Sequence, residues 1–141
     1  MERNIRYTKT SKGGKKLIHD GYMYLKQYKC KDGIRWRCVR HEICTGVIVT
    51  TSDDDHAEIL RTVGHLHEPD WAECNAVEKV EEIKARALLS NEPASVILDR
   101  ALLGTPSETY WNLPNRKTLK DAIRRIRRRY RRNNNGRSIH C

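Results

Sequence analysis

Two thiols and two imidazoles in the first half of the chain have the types and spacing of a metal site. Cys38 and Cys44 are separated by five residues, twenty residues separate Cys44 from His65, and one residue separates His65 from His67. Residues i and i+2 of an extended chain point to the same face, so both imidazoles can turn to one ion. Two sulfur and two nitrogen ligands suit tetrahedral Zn²⁺, and four protein ligands leave no open position for water. We therefore expect a structural zinc site.

Other readings of the cysteines and histidines stay open at this point. The chain has five Cys and six His, so a Cys pair with a His-x-His also arises by chance. Cys30 and His41 are competing ligands in the same region, whereas Cys74 and Cys141 are expected to be ordinary free thiols. The polar N-terminus does not resemble a signal peptide, which indicates a reducing compartment and favours metal binding over disulfides.

A sheet is expected to hold the four ligands. Alternating, aromatic or β-branched residues predict strands over 17–19, 22–30, 34–39, 46–51 and 58–63, with turns at Asp20-Gly21 and at 31–33. Residues 1–16 are mostly polar and are expected to contain a flexible basic loop. These patterns predict a small antiparallel sheet of four or five strands, with Cys38 and Cys44 on either side of a short loop.

The remainder of the chain has helical periodicity. Apolar residues recur every three or four positions over 76–89, 94–103 and 116–132, with breaks at Pro93, at 104–106 and at 133–136. Trp71 and Trp111 are expected to pack these helices. The predicted fold class is therefore α+β, with a zinc-stabilised sheet domain over 1–69 and a three-helix extension over 70–141 that ends in an arginine-rich helix.

Charge is concentrated at the end of this chain of net charge +10. Residues 1–67 have 13 Lys and Arg against 8 Asp and Glu, residues 68–114 have 4 against 9, and residues 115–141 have 11 against 1. An excess of this size favours a polyanionic partner, nucleic acid before a membrane surface. No run of about 18 apolar residues exists, so no transmembrane helix is expected.

Basic residues on one strand pair and on the last helix are the candidate nucleic-acid contacts. Alternation places Arg35 and Arg37 opposite Trp36, which is expected to lie in the core. The alternatives are that these side chains are simply solvated, or that the last helix packs against Glu78, Glu81 and Glu82; an arginine run is also typical of a nuclear-import signal. The predicted contacts are Lys26, Arg35, Arg37, Arg40, Arg124, Arg125, Arg127, Arg128 and Arg131.

The order of these residues resembles the FLYWCH-type zinc finger over 7–67. That pattern contains an aromatic, a Leu, a second aromatic, Trp-x-Cys, a second Cys and His-x-His. In this sequence the slots correspond to Tyr7, Leu17, Tyr22 or Tyr24, Trp36-Arg37-Cys38, Cys44 and His65-Leu66-His67. The resemblance implies an antiparallel sheet related to the WRKY-GCM group, zinc at one end and DNA contact by the sheet. FLYWCH-like fingers also begin Mutator-like (MULE) transposase-related proteins, and the helical region is weakly similar to the segment that follows the finger there.

We expect a zinc-dependent DNA-binding module in the nucleus, belonging to a transcription regulator or a transposon-derived protein. A zinc-stabilised module that binds another protein is the alternative. Hydrolysis is not expected, because it would need three protein ligands and a nearby base, and Asp53-Asp54-Asp55 is a turn. We therefore expect no enzymatic activity.

Overall fold

Short strands of the first half of the chain pair into one sheet in the computed structural model, which describes residues 5–10 and 12–139. Within the described residues the sheet has six antiparallel strands, each paired with the next in sequence. They are β1 (Arg6–Lys9), β2 (Lys15–His19), β3 (Tyr22–Lys29), β4 (Ile34–Cys38), β5 (Val47–Thr50) and β6 (Ile59–Val63). The predicted antiparallel sheet is confirmed.

The prediction of four or five strands misses β1. This strand has one aromatic residue, Tyr7, between charged and polar neighbours, so its side chains give little β signal. Its place is set by pairing with β2, in which Tyr7 lies opposite Leu17. Backbone hydrogen bonding to β2 therefore forms an edge strand that the side-chain pattern does not predict.

The Asp20-Gly21 turn joins β2 to β3 as predicted. Asp20 has φ 52° and Gly21 has φ 82°, and two consecutive positive φ angles are what a tight type I′ hairpin requires. Asn, Asp and Gly tolerate this region best, which explains the Asp-Gly pair. The hairpin fixes the register that places Tyr24 beside Leu17 on one face of the sheet.

Trp36 lies at the centre of the sheet core, as expected. It has no exposed surface and packs with Leu17, Tyr24, Ile34 and Ile48. Its indole Nε1–H donates to Thr50 Oγ1 at 3.0 Å, and that hydroxyl donates to Ser52 O at 2.7 Å. The loop between β5 and β6 returns over this face, because Tyr7 Oη donates to Asp54 O at 3.0 Å.

The second half of the chain is helical. The described residues form α1 (Trp71–Leu89), α2 (Ala94–Leu102), α3 (Ser107–Trp111) and α4 (Arg116–Ile139). The chain divides into two compact units, one ending at Cys74 and the other beginning at Asn75. The helical unit has its own core, formed by Ile83, Ala87, Ile97, Leu98, Ala101, Leu119 and Ile123. None of the helices in the described residues is long and apolar enough to cross a membrane.

Several expectations for the helical half differ from the structure. The short helix α3 was not predicted, because five residues are too few to show periodicity. Helix α4 continues through 133–136, where the sequence predicted a stop. Each Asn or Gly destabilises a helix by about 1 kcal/mol or less relative to Ala, and this cost does not force the helix to end.

The two outer tryptophans do not pack the helices as expected. Trp111 is 80% exposed. The ring of Trp71 lies beside Gly21 of the β2–β3 turn, where an added Cβ would approach it to 3.0 Å. Cys74 is buried and forms no disulfide within the described residues, and Cys141 lies outside them.

Candidate metal centre and nucleic-acid surfaces

Sheet register brings the four predicted ligands to one end. Arg37 pairs with Val47, and Val47 pairs with Val63. Cys38 follows Arg37 at the end of β4, while His65 and His67 follow β6 two and four residues after Val63. Cys44 lies in the loop that leads from β4 to β5. Because β5 lies between β4 and β6, Cys38 comes close to His65 and His67, which are more than twenty-five residues further along the chain.

The four ligand atoms have the spacing of one metal site. All lie within 4.8 Å of one another. Cys38 Sγ is 3.3 Å from His67 Nε2, and Cys44 Sγ is 3.3 Å from His65 Nδ1. Zinc bond lengths place tetrahedral ligand atoms roughly 3.3–3.8 Å apart. The two thiols and two imidazoles are therefore positioned to bind one metal ion, and this donor set fits Zn²⁺. Cys30 and His41, the competing ligands, do not belong to the cluster.

Backbone N–H groups surround the two sulfur atoms. Cys38 Sγ accepts from Arg40 N, and Cys44 Sγ accepts from Gly46 N and Leu66 N, each at 3.4 Å. Burial raises the pKa of the Cys38 thiol. Burial also acts to raise the pKa of Cys44, but the two backbone N–H bonds and the charge of Arg40 help to outweigh it, so its net pKa shift is downward. These donors stabilise the thiolate, which is the form that binds metal.

His65 is oriented by two tyrosines. Tyr24 Oη lies 2.7 Å from His65 Nε2, and the ring of Tyr22 stacks on the imidazole with centroids 3.6 Å apart and an interplanar angle of 4°. Because Nδ1 faces Cys44, a metal bound there leaves the proton on Nε2, which donates to the tyrosine oxygen. Burial lowers the pKa of His65, with a contribution from His67, and so favours the neutral, ligating form.

His67 uses the opposite ring nitrogen. Its Nε2 faces Cys38, while Nδ1 lies 3.0 Å from Glu68 O. A protonated Nδ1 can donate to that carbonyl and fix the ring orientation. Tyr22 Oη donates to His67 O at 3.0 Å, so the same tyrosine that stacks on His65 also holds the backbone of His67.

Gly46 has no side chain, and this leaves space for the imidazole of His65. A Cβ at this position would lie 2.3 Å from both Nδ1 and Cε1 of His65. Sequence reasoning did not identify Gly46, Tyr22 or Tyr24 as supports of the site. The tyrosines could have been found from register, because Tyr24 pairs directly with Cys38. The glycine could not, since its role depends on the position of a ring nineteen residues away.

The predicted contacts on the sheet separate into different environments. Arg35 and Arg37 share the face opposite Trp36, as their alternation with Trp36 predicts. Arg35 donates to Gln27 Oε1 at 3.0 Å and its guanidinium lies 5.7 Å from the centre of the Tyr28 ring. No ion pair involves Arg37 within the described residues. Of the predicted contacts on the sheet, these two arginines have no ion pair with a described residue.

Lys26 and Arg40 do not join that pair. Lys26 lies on the Trp36 face, 5.7 Å above its ring, and pairs with Asp53 at 2.6 Å. Arg40 lies in the loop after β4, where it pairs with Glu73 at 3.2 Å and with Asp70 at 3.8 Å. Both cations are locally neutralised, so their contribution to an anion-binding surface is smaller than that of Arg35 and Arg37.

The predicted contacts of α4 also divide. Arg124, Arg125, Arg128 and Arg131 are exposed, and Arg124 is 3.3 Å from Asp121. Arg127 instead turns inward and donates from Nε to Ala87 O and from Nη2 to Ser90 O, each at 2.9 Å. It therefore caps the carboxyl end of α1, where carbonyl groups lack helical partners.

The alternative that α4 packs against Glu78, Glu81 and Glu82 stays a prediction. Glu82 pairs with Lys79 and Arg86 of its own helix. Arg116, the first residue of α4, pairs with Asp99 of α2 at 2.8 Å. The exposed arginines nearer the end of α4 remain available to a partner.

Comparison with known families identifies the sheet unit. The family model of the FLYWCH zinc finger domain matches residues 7–67. This range includes all four metal ligands and five complete strands with most of β1. A search among curated proteins gave no match.

Proposed function

Because residues 7–67 form a FLYWCH zinc finger domain, we propose that the protein is a zinc-dependent module that binds duplex DNA. It would serve a transcription regulator or a transposon-derived protein, and it would act in the nucleus. The zinc is structural, since four protein ligands fill a tetrahedral site and leave no position for a reactive water. The site therefore supports binding and not catalysis.

The observation that carries the proposal is the exposed arginine surface of α4, formed by Arg124, Arg125, Arg128, Arg129, Arg131 and Arg132. No acidic residue follows Asp121 in the sequence. Clustered like charges on a helix repel one another, and a polyanion relieves that repulsion. Guanidinium groups bind phosphate in a bidentate geometry, and the backbone of nucleic acid presents phosphates in a regular row.

The sheet supplies the second surface. Arg35 and Arg37 project from the face opposite the core, and a guanidinium in the major groove can donate to both acceptors of a guanine. Phosphate contacts by α4 would then give affinity, while the sheet arginines would give base preference. Zinc is required for this surface because its ligands hold the ends of β4 and β6, the strands that flank β5.

Fluorescence anisotropy with a labelled duplex tests the proposal. We expect tight binding at low salt that a chelator weakens and Zn²⁺ restores, because loss of the metal releases the sheet arginines while those of α4 still contact phosphate. Arg128→Ala and Arg131→Ala should each reduce the slope of log K against log salt by about 0.9. Arg100→Ala is the matched control, because it removes the same charge from a side chain already paired with Glu92 at 2.6 Å. Absence of binding at low salt, or binding indifferent to the chelator, would contradict the proposal.

A protein-binding role is the second candidate, favoured by apolar surface on the helical unit. Leu103 is 84% exposed and Trp111 is 80% exposed. Tyr110, Trp111 and Leu113 line a cavity of ≈ 310 Å³. A complex through this surface would survive high salt, whereas phosphate binding would weaken steeply. Trp111→Ala should weaken such a complex and leave duplex binding unchanged.

A further inference from the structure

A cavity of ≈ 370 Å³ lies between the carboxyl end of α1 and the second half of α4. Its volume is in the range of small-molecule sites. Leu88 and Asn91 line it from one side, and Arg127, Tyr130 and Arg131 line it from the other. Among the described residues that line the cavity there are two arginines and no carboxylate, so its charge favours an anionic occupant.

Arg127 is held rigidly at this cavity. Its Nε and Nη2 atoms donate to Ala87 O and Ser90 O at 2.9 Å. A guanidinium has five N–H groups, so these two bonds leave N–H groups for another acceptor. An arginine fixed in this way loses little side-chain entropy when it binds, in contrast to a freely rotating one.

Tyr130 gives the cavity an aromatic wall. Its side chain is 51% exposed, although it occupies the apolar stripe of α4 four residues after the partly buried Ile126. Leu88 is 39% exposed on the opposing helix. A planar aromatic group placed between Tyr130 and Leu88 would bury the exposed surface of both side chains. Asn91 adds an amide that can both donate to and accept from the edge of a base.

We propose that this cavity binds one unpaired nucleotide of single-stranded DNA. The base would stack on Tyr130 with its edge toward Asn91, and the phosphate would lie on Arg127 and Arg131. Exposed arginines that precede Tyr130 on α4 would contact neighbouring phosphates. Aromatic stacking combined with a basic track is the usual means of holding a single strand. The inference rests on the proposed function, because it extends DNA binding from the duplex to a strand end.

The test compares a blunt duplex with the same duplex carrying a single-stranded extension, using the zinc-loaded full chain. We expect the extension to increase affinity about tenfold, as stacking of a base on an aromatic ring does. Tyr130→Ala should abolish this gain and leave binding of the blunt duplex unchanged. Tyr110→Ala is the matched control, because Tyr110 is 53% exposed on the same unit but does not line the cavity. Asn91→Ala should reduce the gain without removing it.

The outcomes separate the two proposals. If both DNAs bind equally, or if Tyr130→Ala behaves like Tyr110→Ala, the cavity proposal is overturned and duplex binding stands. If the duplex with the extension binds through Tyr130 while the blunt duplex does not bind, the proposed function fails and the cavity proposal survives. If neither DNA binds, both are refuted. Circular dichroism of each variant verifies that the helices are intact.

Discussion

Replacing Gly46 by alanine should displace a zinc ligand. The added Cβ would lie 2.3 Å from His65 Nδ1, whereas ordinary van der Waals contact begins at 3.4 Å. The imidazole would have to retreat by about 1 Å, and a metal–ligand distance tolerates a change of about 0.2 Å. The ring cannot slide away freely, because Tyr22 stacks on it at 3.6 Å and Tyr24 bonds its Nε2 at 2.7 Å.

The expected loss of zinc affinity is at least about 100-fold, or about 2.7 kcal/mol. Disturbing the groups that merely support a ligand costs 10–100-fold, and Gly46→Ala disturbs the ligand itself. Competition with a chromophoric chelator measures this affinity directly. The Co²⁺-loaded protein should also lose part of its tetrahedral absorption spectrum, since one nitrogen ligand would be removed or displaced.

Gly64→Ala is the matched control, because Gly64 immediately precedes the same histidine and an added Cβ would meet nothing within 4 Å. It makes the same chemical change with no steric conflict. Equal zinc affinity in the Gly46→Ala and Gly64→Ala proteins would refute the reasoning. It would mean that His65 does not occupy the position described, or that it does not bind the metal.

Three further predictions follow from single contacts. Tyr24→Phe removes the acceptor of the His65 ring and should lower zinc affinity about 10-fold or more, while Tyr28→Phe, on the exposed part of the same strand, should not change it. Thr50→Val leaves the buried Trp36 N–H without its acceptor and should lower the free energy of unfolding by about 1–3 kcal/mol in urea titrations. Thr50→Ser keeps the hydroxyl and should lower that free energy by less. Equal losses in the two variants would contradict the hydrogen-bond argument. Arg127→Ala removes the hydrogen bonds to Ala87 O of α1 and to Ser90 O just after it, and should lower the melting temperature of the helical unit; an unchanged melting temperature would contradict this expectation.

The metal site could be predicted from sequence because zinc restricts its ligands by type and number. Chemistry and spacing predict Cys38, Cys44, His65 and His67 as the ligands, and the sheet register brings them together. The supports of the site were not predicted. Their roles depend on which ring lies over which strand, and this is settled only when β3, β4 and the segment after β6 are placed together.

Charged side chains were the least predictable part of the molecule. Arg127 and Arg128 are adjacent and chemically identical, yet one caps α1 and the other is exposed. Lys26 is held by Asp53, and the loop that carries Asp53 is itself held over the sheet by the hydrogen bond from Tyr7 Oη to Asp54 O. A count of basic residues therefore predicts a polyanionic partner, but tertiary contacts decide which residues can meet it.

Zinc content of the purified chain and three variants tests the central claim most directly. We expect one zinc per chain, with Cys38→Ser and His67→Ala binding far more weakly, because each removes one of four ligands from a closed site. Cys30→Ser is the control, since its thiol lies outside the cluster, and it should retain full zinc content. Full zinc content in Cys38→Ser and His67→Ala, or its loss in Cys30→Ser alone, would show that the metal is bound elsewhere and would contradict the account.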